Sequence, residues 1–436
     1  MVFRGFFALL LTGMGLHAAD AVTFDMLAES ASRHSQKLQL HRYDIQIESA
    51  RADTVRAEYY PTLSVAFNNE YNKDIDGSST GVETVGDSLL TSGTRYQSSL
   101  SLGLNYELYH FGVTERKVAI ADQETALKRT EWCLAEQALH QELLEHYGTA
   151  LKTQGEMLLQ EKIAALQEEA YGQKTRLFEA GKLSKMALGE AAMELLELRQ
   201  HIASLRQRFN DEIAALSRLG YLELDPEDTV LQPLAEAGEV SQMPAFDDTP
   251  AGERLRRSIR QKETELAMQR RSRLPSVAFY SNYYLYGSDP DGLGRSLDDI
   301  RRNSWKAGIG VRLNLFDGFR YLSETRRLSL ELQRLQEERE MSARDYAYET
   351  STRLRRLDAM AGREPAHREM LQTSDESAVM AERLRQQQEI DAPGHLEQQV
   401  RRLQRSLEVE MLRMDARLEA AALKLHTRGS AQCSLR

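Results

Sequence analysis

Cysteine is almost missing from this chain: Cys133 and Cys433 are the only two in 436 residues. A disulfide framework of the kind that staples small exported domains is excluded. The two lie far apart, one in a helical stretch and one in the C-terminal tail, and no bridge between them is expected. Proline is also scarce, with none between Val113 and Ala180, so nothing there breaks a helix. No apolar run reaches the ~20 residues that a transmembrane helix needs. Excess positive charge is absent as well. The net charge of -10 and pI of 5.6 argue against nucleic acid, whose binders concentrate lysine and arginine. With 41% hydrophobic and 28% charged residues, any membrane role must be carried by β-strands.

The N-terminus sets the compartment. Arg4 precedes an apolar run from Gly5 to Leu16, and small residues follow at Ala18, Ala19 and Ala21. Residues 1–21 therefore read as a secretory signal peptide cleaved near Ala19 or Ala21. No cysteine stands near that site to carry a lipid anchor.

The same order of elements occurs twice. A helical stretch runs into Tyr60-Pro61, followed by Ser64-Val65-Ala66-Phe67; in the second half a helical stretch runs into Pro275, followed by Ser276-Val277-Ala278-Phe279. Each half continues with a polar loop (73–94 and 287–303), a second strand and a long helix. The first repeat spans 22–220 and the second 251–428, with a tail at 429–436. Residues 221–250, holding Pro226, Pro233, Pro244 and Pro250, read as a linker with little regular structure.

Four strands carry the clearest pattern, because strand side chains alternate between faces. Leu63, Val65, Phe67 and Tyr71 oppose Ser64, Asn68 and Glu70; Tyr96, Leu100, Leu102, Leu104 and Tyr106 oppose Gln97, Ser99, Asn105 and Glu107. Val277, Phe279, Tyr283 and Leu285 oppose Asn282, Tyr284 and Tyr286, while Trp305, Ile309 and Val311 oppose Ser304, Lys306 and Arg312. Each strand has the ~9–11 residues that cross a bilayer at a tilt. Tyr71, Tyr96, Tyr106, Tyr109, Tyr286, Trp305 and Phe316 gather near strand ends, as interfacial girdles do. The polar face, with Glu70, Glu107, Lys306 and Arg312, suits a wet lumen. Four strands cannot close a barrel, and open edges are not tolerated in hydrocarbon, so several copies must share one.

The residues from Val113 to Ala180 could form a helix about 100 Å long. After the turn Gly181-Lys182-Leu183-Ser184, a heptad seam runs through Leu188, Leu195, Ile202, Phe209 and Leu216, with Ala191, Leu198, Leu205 and Leu219 beside it and Glu212 as the exception. The second half repeats the antiparallel pair, its returning helix carrying Leu396, Val400, Leu403, Leu407, Met411, Met414, Leu418 and Leu425. A kink or short break is expected at Gly362 and Pro365.

Strand pairs inserted twice between long helices in an exported chain resemble the TolC family of outer-membrane efflux proteins. The resemblance is carried by Tyr60-Pro61-Thr62-Leu63-Ser64, Arg273-Leu274-Pro275-Ser276-Val277, the strand exits Leu108-Tyr109-His110-Phe111-Gly112 and Asn314-Leu315-Phe316-Asp317-Gly318, and the turn Gly181-Lys182-Leu183-Ser184. It implies a mainly helical chain lending four strands to a trimeric twelve-stranded β-barrel and its helices to an α-barrel. It also implies a homotrimer in outer-membrane lipid, docking with a periplasmic adaptor and an inner-membrane pump, in efflux or type I secretion. The docking tips would be Gly181 to Ser184 together with Ile390 and Asp391, and the entrance constriction Asp391 and Glu397. The second tip departs from the family's pattern, with Ile390 in place of a basic gate residue and Gly394 in place of an acidic one.

Plainer readings compete. Gly181 serves as a left-handed helix cap and Ser184 as an N-cap whether or not the tip docks anything; Asp391 is likewise an N-cap, with Pro393 in the next helix's first turn. His140 and His146, six residues apart, lie on different helix faces and read as surface polar residues rather than metal ligands. Gly308-Ile309-Gly310 lies within a strand and opens no helix, so it is no phosphate loop. No acid and base pair is identifiable, and no catalytic role, metal or cofactor is expected. An exported coiled-coil scaffold or adhesin is the alternative; it leaves the apolar strand faces and aromatic ends unexplained.

Overall fold

The computed structural model describes residues 21–73, 82–85, 88–91, 95–235, 243–387, 392–430 and 433. The signal peptide, Ser79, Ile390 and Asp391 lie outside the described residues. In chain order the elements are β1 (Ala21–Val22), α1 (Phe24–His34), α2 (Gln36–Arg56), β2 (Thr62–Asn72), β3 (Val82–Val85), β4 (Ser88–Thr91) and β5 (Arg95–Tyr109). There follow α3 (Val113–Glu179), α4 (Lys185–Gly220), β6 (Val230–Leu231), α5 (Pro250–Arg271) and β7 (Ser276–Asp289). The chain ends with α6 (Leu293–Asp298), β8 (Arg302–Arg312), α7 (Arg320–Gln386) and α8 (Ala392–His426). Among the described residues no helix is long and apolar enough to cross a membrane.

The chain divides into two compact units. One comprises Met1–Arg42, Thr130–Glu253 and Met341–Arg436; the other Tyr43–Arg129 and Arg254–Glu340. In the first, Thr23 caps α1 by accepting from the Met26 amide at 3.3 Å, and Leu27 and Ala31 face inward. β1 and β6 pair in parallel, joining the start of the chain to the linker. Gln154 of α3 completes this ribbon, its Oε1 accepting from the Leu231 amide at 2.9 Å. On α4 the seam is realised: Ala191, Leu195, Leu205, Phe209 and Leu216 are buried. Glu212, the polar exception, has a specific partner in His146 Nδ1 at 2.8 Å.

Two expectations fail in this unit. Cys133 and Cys433 form a disulfide, with Cα atoms 5.9 Å apart. The antiparallel return of α8 brings the tail back to α3. There the Gln137 side-chain amide donates to the Leu425 carbonyl at 2.7 Å, and Arg428 pairs with Glu136 at 3.1 Å. Nor is α7 broken: Pro365 sits inside a helix continuous from Arg320 to Gln386. Proline deletes one backbone donor, yet the helix continues, with two ion pairs formed by the residue before it. Glu364 pairs with Arg368 one turn on, at 2.6 Å, and with Arg413 of α8 at 3.2 Å.

The second unit holds a four-stranded antiparallel sheet in the order β2-β5-β7-β8. Its register runs unbroken except for a bulge between Glu107 and Tyr109 where β5 meets β7. Val65 faces Leu102, Leu102 faces Tyr283 and Tyr283 faces Trp305. A slip of one residue would turn every side chain to the other face. The loop 73–94 contains the hairpin β3-β4, and the loop after β7 contains α6.

Candidate functional site

The register sorts the sheet into two chemically opposite faces. One carries Leu63, Val65 and Phe67 of β2, Leu102 of β5 and Trp305, Ile309 and Val311 of β8, all exposed; Val65 and Ile309 are each 66% open. Residues of this size left open over a whole sheet face mark a surface that meets something apolar. The other face brings together Glu70, Glu107, Lys306 and Arg312, the four residues singled out from alternation. Two are anionic and two cationic, so this group adds no net charge. Glu107 lies 3.3 Å from His110, and the Lys306 ammonium stands 5.4 Å from the Tyr284 ring centre.

Of the aromatic residues expected as girdles, most fall at the ends of the apolar face, but Trp305 lies mid-strand opposite Tyr283 and Tyr286 pairs with Ser99 on the polar face. Tyr71 and Tyr96 are directly opposite across β2 and β5, with ring centres 4.8 Å apart. At the other end Tyr109 packs on Phe111 at 4.8 Å, and Phe316 on Phe319 at 5.4 Å. Tyr106 lies next to that end, paired with Phe279. Trp305 sits further along the strand, its indole N–H donating to Ser281 at 3.1 Å. Phe111 and Phe319 belong to the two strand exits, neither with a role of its own assigned from the sequence. Both adopt positive φ, 49° and 65°, beside the positive-φ Gly112 and Gly318. Left-handed backbone is uncommon for a bulky residue, and its recurrence at both strand exits shows the same turn built twice. The signal lay in the Phe-Gly and Gly-Phe dipeptides.

The first helical tip is formed as its residues predict. Gly181, at φ 72°, ends α3 in a Schellman motif, with its amide on the Phe178 carbonyl at 2.9 Å and the Lys182 amide on Leu177 at 2.8 Å. Ser184 caps α4 through its hydroxyl, which accepts from the Ala187 amide at 3.2 Å. Gly181, Lys182 and Ser184 are exposed and Leu183 is half-buried. At the second hairpin, His395 on the first turn of α8 reaches Glu382 near the end of α7 at 2.8 Å. The Arg385 guanidinium beside Glu382, helped by Gln386, holds its carboxyl well below the usual range. Glu397 is half exposed and pairs with Lys174 of α3 at 3.6 Å.

Between tip and linker lies a buried polar group on α3. The Tyr147 hydroxyl sits 3.1 Å from the Val22 carbonyl and 2.5 Å from that of Gln232, on either side of the β1-β6 ribbon, and burial pushes its pKa up to about 12. His140 is half-buried rather than on the surface: it bonds Ser32 at 2.8 Å, and burial pushes its imidazole below the ordinary value despite Glu136 nearby. Among the described residues no group of histidine, cysteine and carboxylate side chains could hold a metal ion.

Comparison with known proteins bears on these surfaces. The sequence pattern of a family described as outer membrane efflux protein matches residues 27–219. Among solved structures, CusC, described in connection with transmembrane channel formation, is 14% identical, with 95% of this chain and 94% of that one covered at a TM-score of 0.77. The CmeC outer membrane channel of Campylobacter jejuni is 12% identical, covering 93% and 84% at 0.74. The outer membrane protein VceC of Vibrio cholerae is 14% identical, covering 92% and 95% at 0.72. The sequence matches no curated relative.

Proposed function

We propose that the chain belongs to the outer membrane efflux protein family, whose sequence pattern matches residues 27–219, and that three copies build one channel, docking on a periplasmic adaptor and an inner-membrane pump. The channel conducts substrates from the periplasm or the pump to the exterior, and it resides in the outer membrane and extends into the periplasm. The carrying observation is a sheet apolar on one face, polar on the other and unpaired at both edges, β2 and β8. In hydrocarbon each unpaired backbone group costs several kcal/mol, so the edges must be joined. β2 and β8 run in opposite directions, so β8 of one copy can pair antiparallel with β2 of the next, and three copies give twelve strands. On α2, Leu40, Tyr43 and Ile47 form an exposed stripe at helical spacing that a second copy would cover.

In this assembly Glu70, Glu107, Lys306 and Arg312 line the lumen, and Tyr71, Tyr96, Tyr106, Tyr109, Trp305 and Phe316 meet lipid or its boundaries. Gly181 to Ser184, with Ile390 and Asp391, form the docking tips, and Asp391 and Glu397 ring the entrance. Repeats 22–220 and 251–428 are joined through the linker 221–250. Membrane sidedness tests the reading. Both native cysteines are bonded to each other, so an introduced thiol is labelled alone. On intact cells, Asp291→Cys is labelled by an impermeant maleimide and Lys182→Cys is not. The reverse pattern inverts the topology and removes the channel reading.

A further inference from the structure

The apolar sheet face does not continue to the strand ends. Beyond the row Phe67–Leu100–Leu285, the next outward row is Asn69–Ser98–Gly287, and beyond it comes Tyr71–Tyr96–Asp289. A polar row followed by an aromatic one is the pattern of a hydrocarbon boundary. Helix α6 lands on that row. The Ser98 and Ser296 hydroxyls bond at 2.6 Å, and both residues are sealed from solvent. Gly287 makes the landing possible: a Cβ there would stand 2.2 Å from the Ser296 carbonyl oxygen and 2.8 Å from the Asp299 backbone. Backbone cannot yield as a side-chain tip can. The helix is also fixed at its start, where Asp289 accepts from the amides of Asp291 and Gly292 at 2.8 and 2.9 Å.

What α6 presents is amphipathic. Leu293 and Leu297, one turn apart, flank the buried Ser296 and remain 47% and 38% exposed; Arg295 and Asp298 lie on the exposed outer side. Among the described residues none covers the exposed parts of the leucines. A second copy is a poor occupant, because α6 sits on β5 and β7, the inner strands of the sheet, whereas copies join through β2 and β8.

We propose that α6 is an interfacial foot of the barrel, its leucines resting on the acyl chains of the outer-leaflet lipid at the headgroup boundary. This rests on the lipid-facing reading of the sheet. The helix continues the apolar face past its polar row, and Arg295 stands on the headgroup side. The foot therefore fixes how deep the barrel sits.

Tryptophan quenching by brominated lipid in reconstituted full-length trimers separates the two claims. Native Trp305, 71% exposed on the apolar face, reports the sheet, while Trp132 is buried and supplies a constant background. Trp305 emission in the wild type is lost with bromines placed deep in the acyl chain. In a Trp305→Phe, Leu293→Trp variant the indole at position 293 is quenched by bromines near the headgroup and spared by deep ones. Trp305 quenched with position 293 untouched by either lipid overturns the foot and leaves the barrel intact; Trp305 unquenched overturns the barrel reading itself. Adding Gly287→Val to the Leu293→Trp variant releases α6 and abolishes headgroup-level quenching; quenching that survives it shows that the landing on Gly287 does not place the helix.

Discussion

Breaking the disulfide gives the sharpest stability prediction. Cys133 and Cys433 close a loop across a sequence separation of 300, and constraining an unfolded chain over that length is worth roughly 6 kcal/mol by chain entropy. Native bridges typically return about 2–5 kcal/mol when removed. The tail is also held by Arg428 on Glu136 and by Gln137 on the Leu425 carbonyl, so Cys433→Ser leaves the native fold in place and lowers its unfolding midpoint. Because the two sulfurs act as one bond, Cys133→Ser, Cys433→Ser and the double variant should fall by the same amount. The assay is thermal unfolding in detergent with and without reductant, with a thiol count on denatured, unreduced protein. The wild type titrates no thiol before reduction and two after it. Two free thiols at the start, or a Cys433→Ser variant as stable as the wild type, would refute the bridge.

Acid should loosen the α3 and α8 region. Burial holds His140 and His426 below their ordinary value of 6.5, against the carboxylates Glu136 and Glu349. The unfolded chain then binds more protons, so stability is full above pH 6.5 and falls as pH drops below it. Unfolding midpoints measured from about pH 7 to about pH 5 should decline, and His140→Gln should flatten the slope; an unchanged slope would exclude His140 as a source. At the tip, Gly181→Pro removes the amide that bonds Phe178 at 2.9 Å and forbids φ 72°, so export should fall while trimers persist in the membrane. Normal export would remove Gly181 from the docking tip. For the entrance, Glu397→Ala should lower cation preference in single-channel recordings and Lys174→Ala should raise it, because the two are paired at 3.6 Å. Unchanged selectivity in both would show that the pair faces away from the pore.

The strands were legible because alternation has one physical cause, and Leu63 to Tyr71 could not sit otherwise on a pleated sheet. The first tip was legible for a similar reason: glycine followed three residues later by serine specifies a left-handed cap and an N-cap locally. Contacts set by tertiary alignment were not. The disulfide depends on where α8 ends against α3, 300 residues away in sequence. That α7 runs on through Pro365 was hidden because the local sequence there carries a helix breaker. The landing of α6 could not be seen either, since Gly292 and Gly294 read as loop, and only the fold shows that Gly287 admits a backbone. The positive-φ phenylalanines lie between these cases, visible as repeated dipeptides but not as a conformation.

The mass of the protein extracted in mild detergent tests the channel most directly, since two unpaired sheet edges and an exposed apolar face leave one subunit incomplete in lipid. Native mass measurement should give three copies of the mature chain, and trimers inserted in planar bilayers should conduct ions. A monomer that is stable and inserted in lipid, or a protein released to the soluble fraction without detergent, would contradict it.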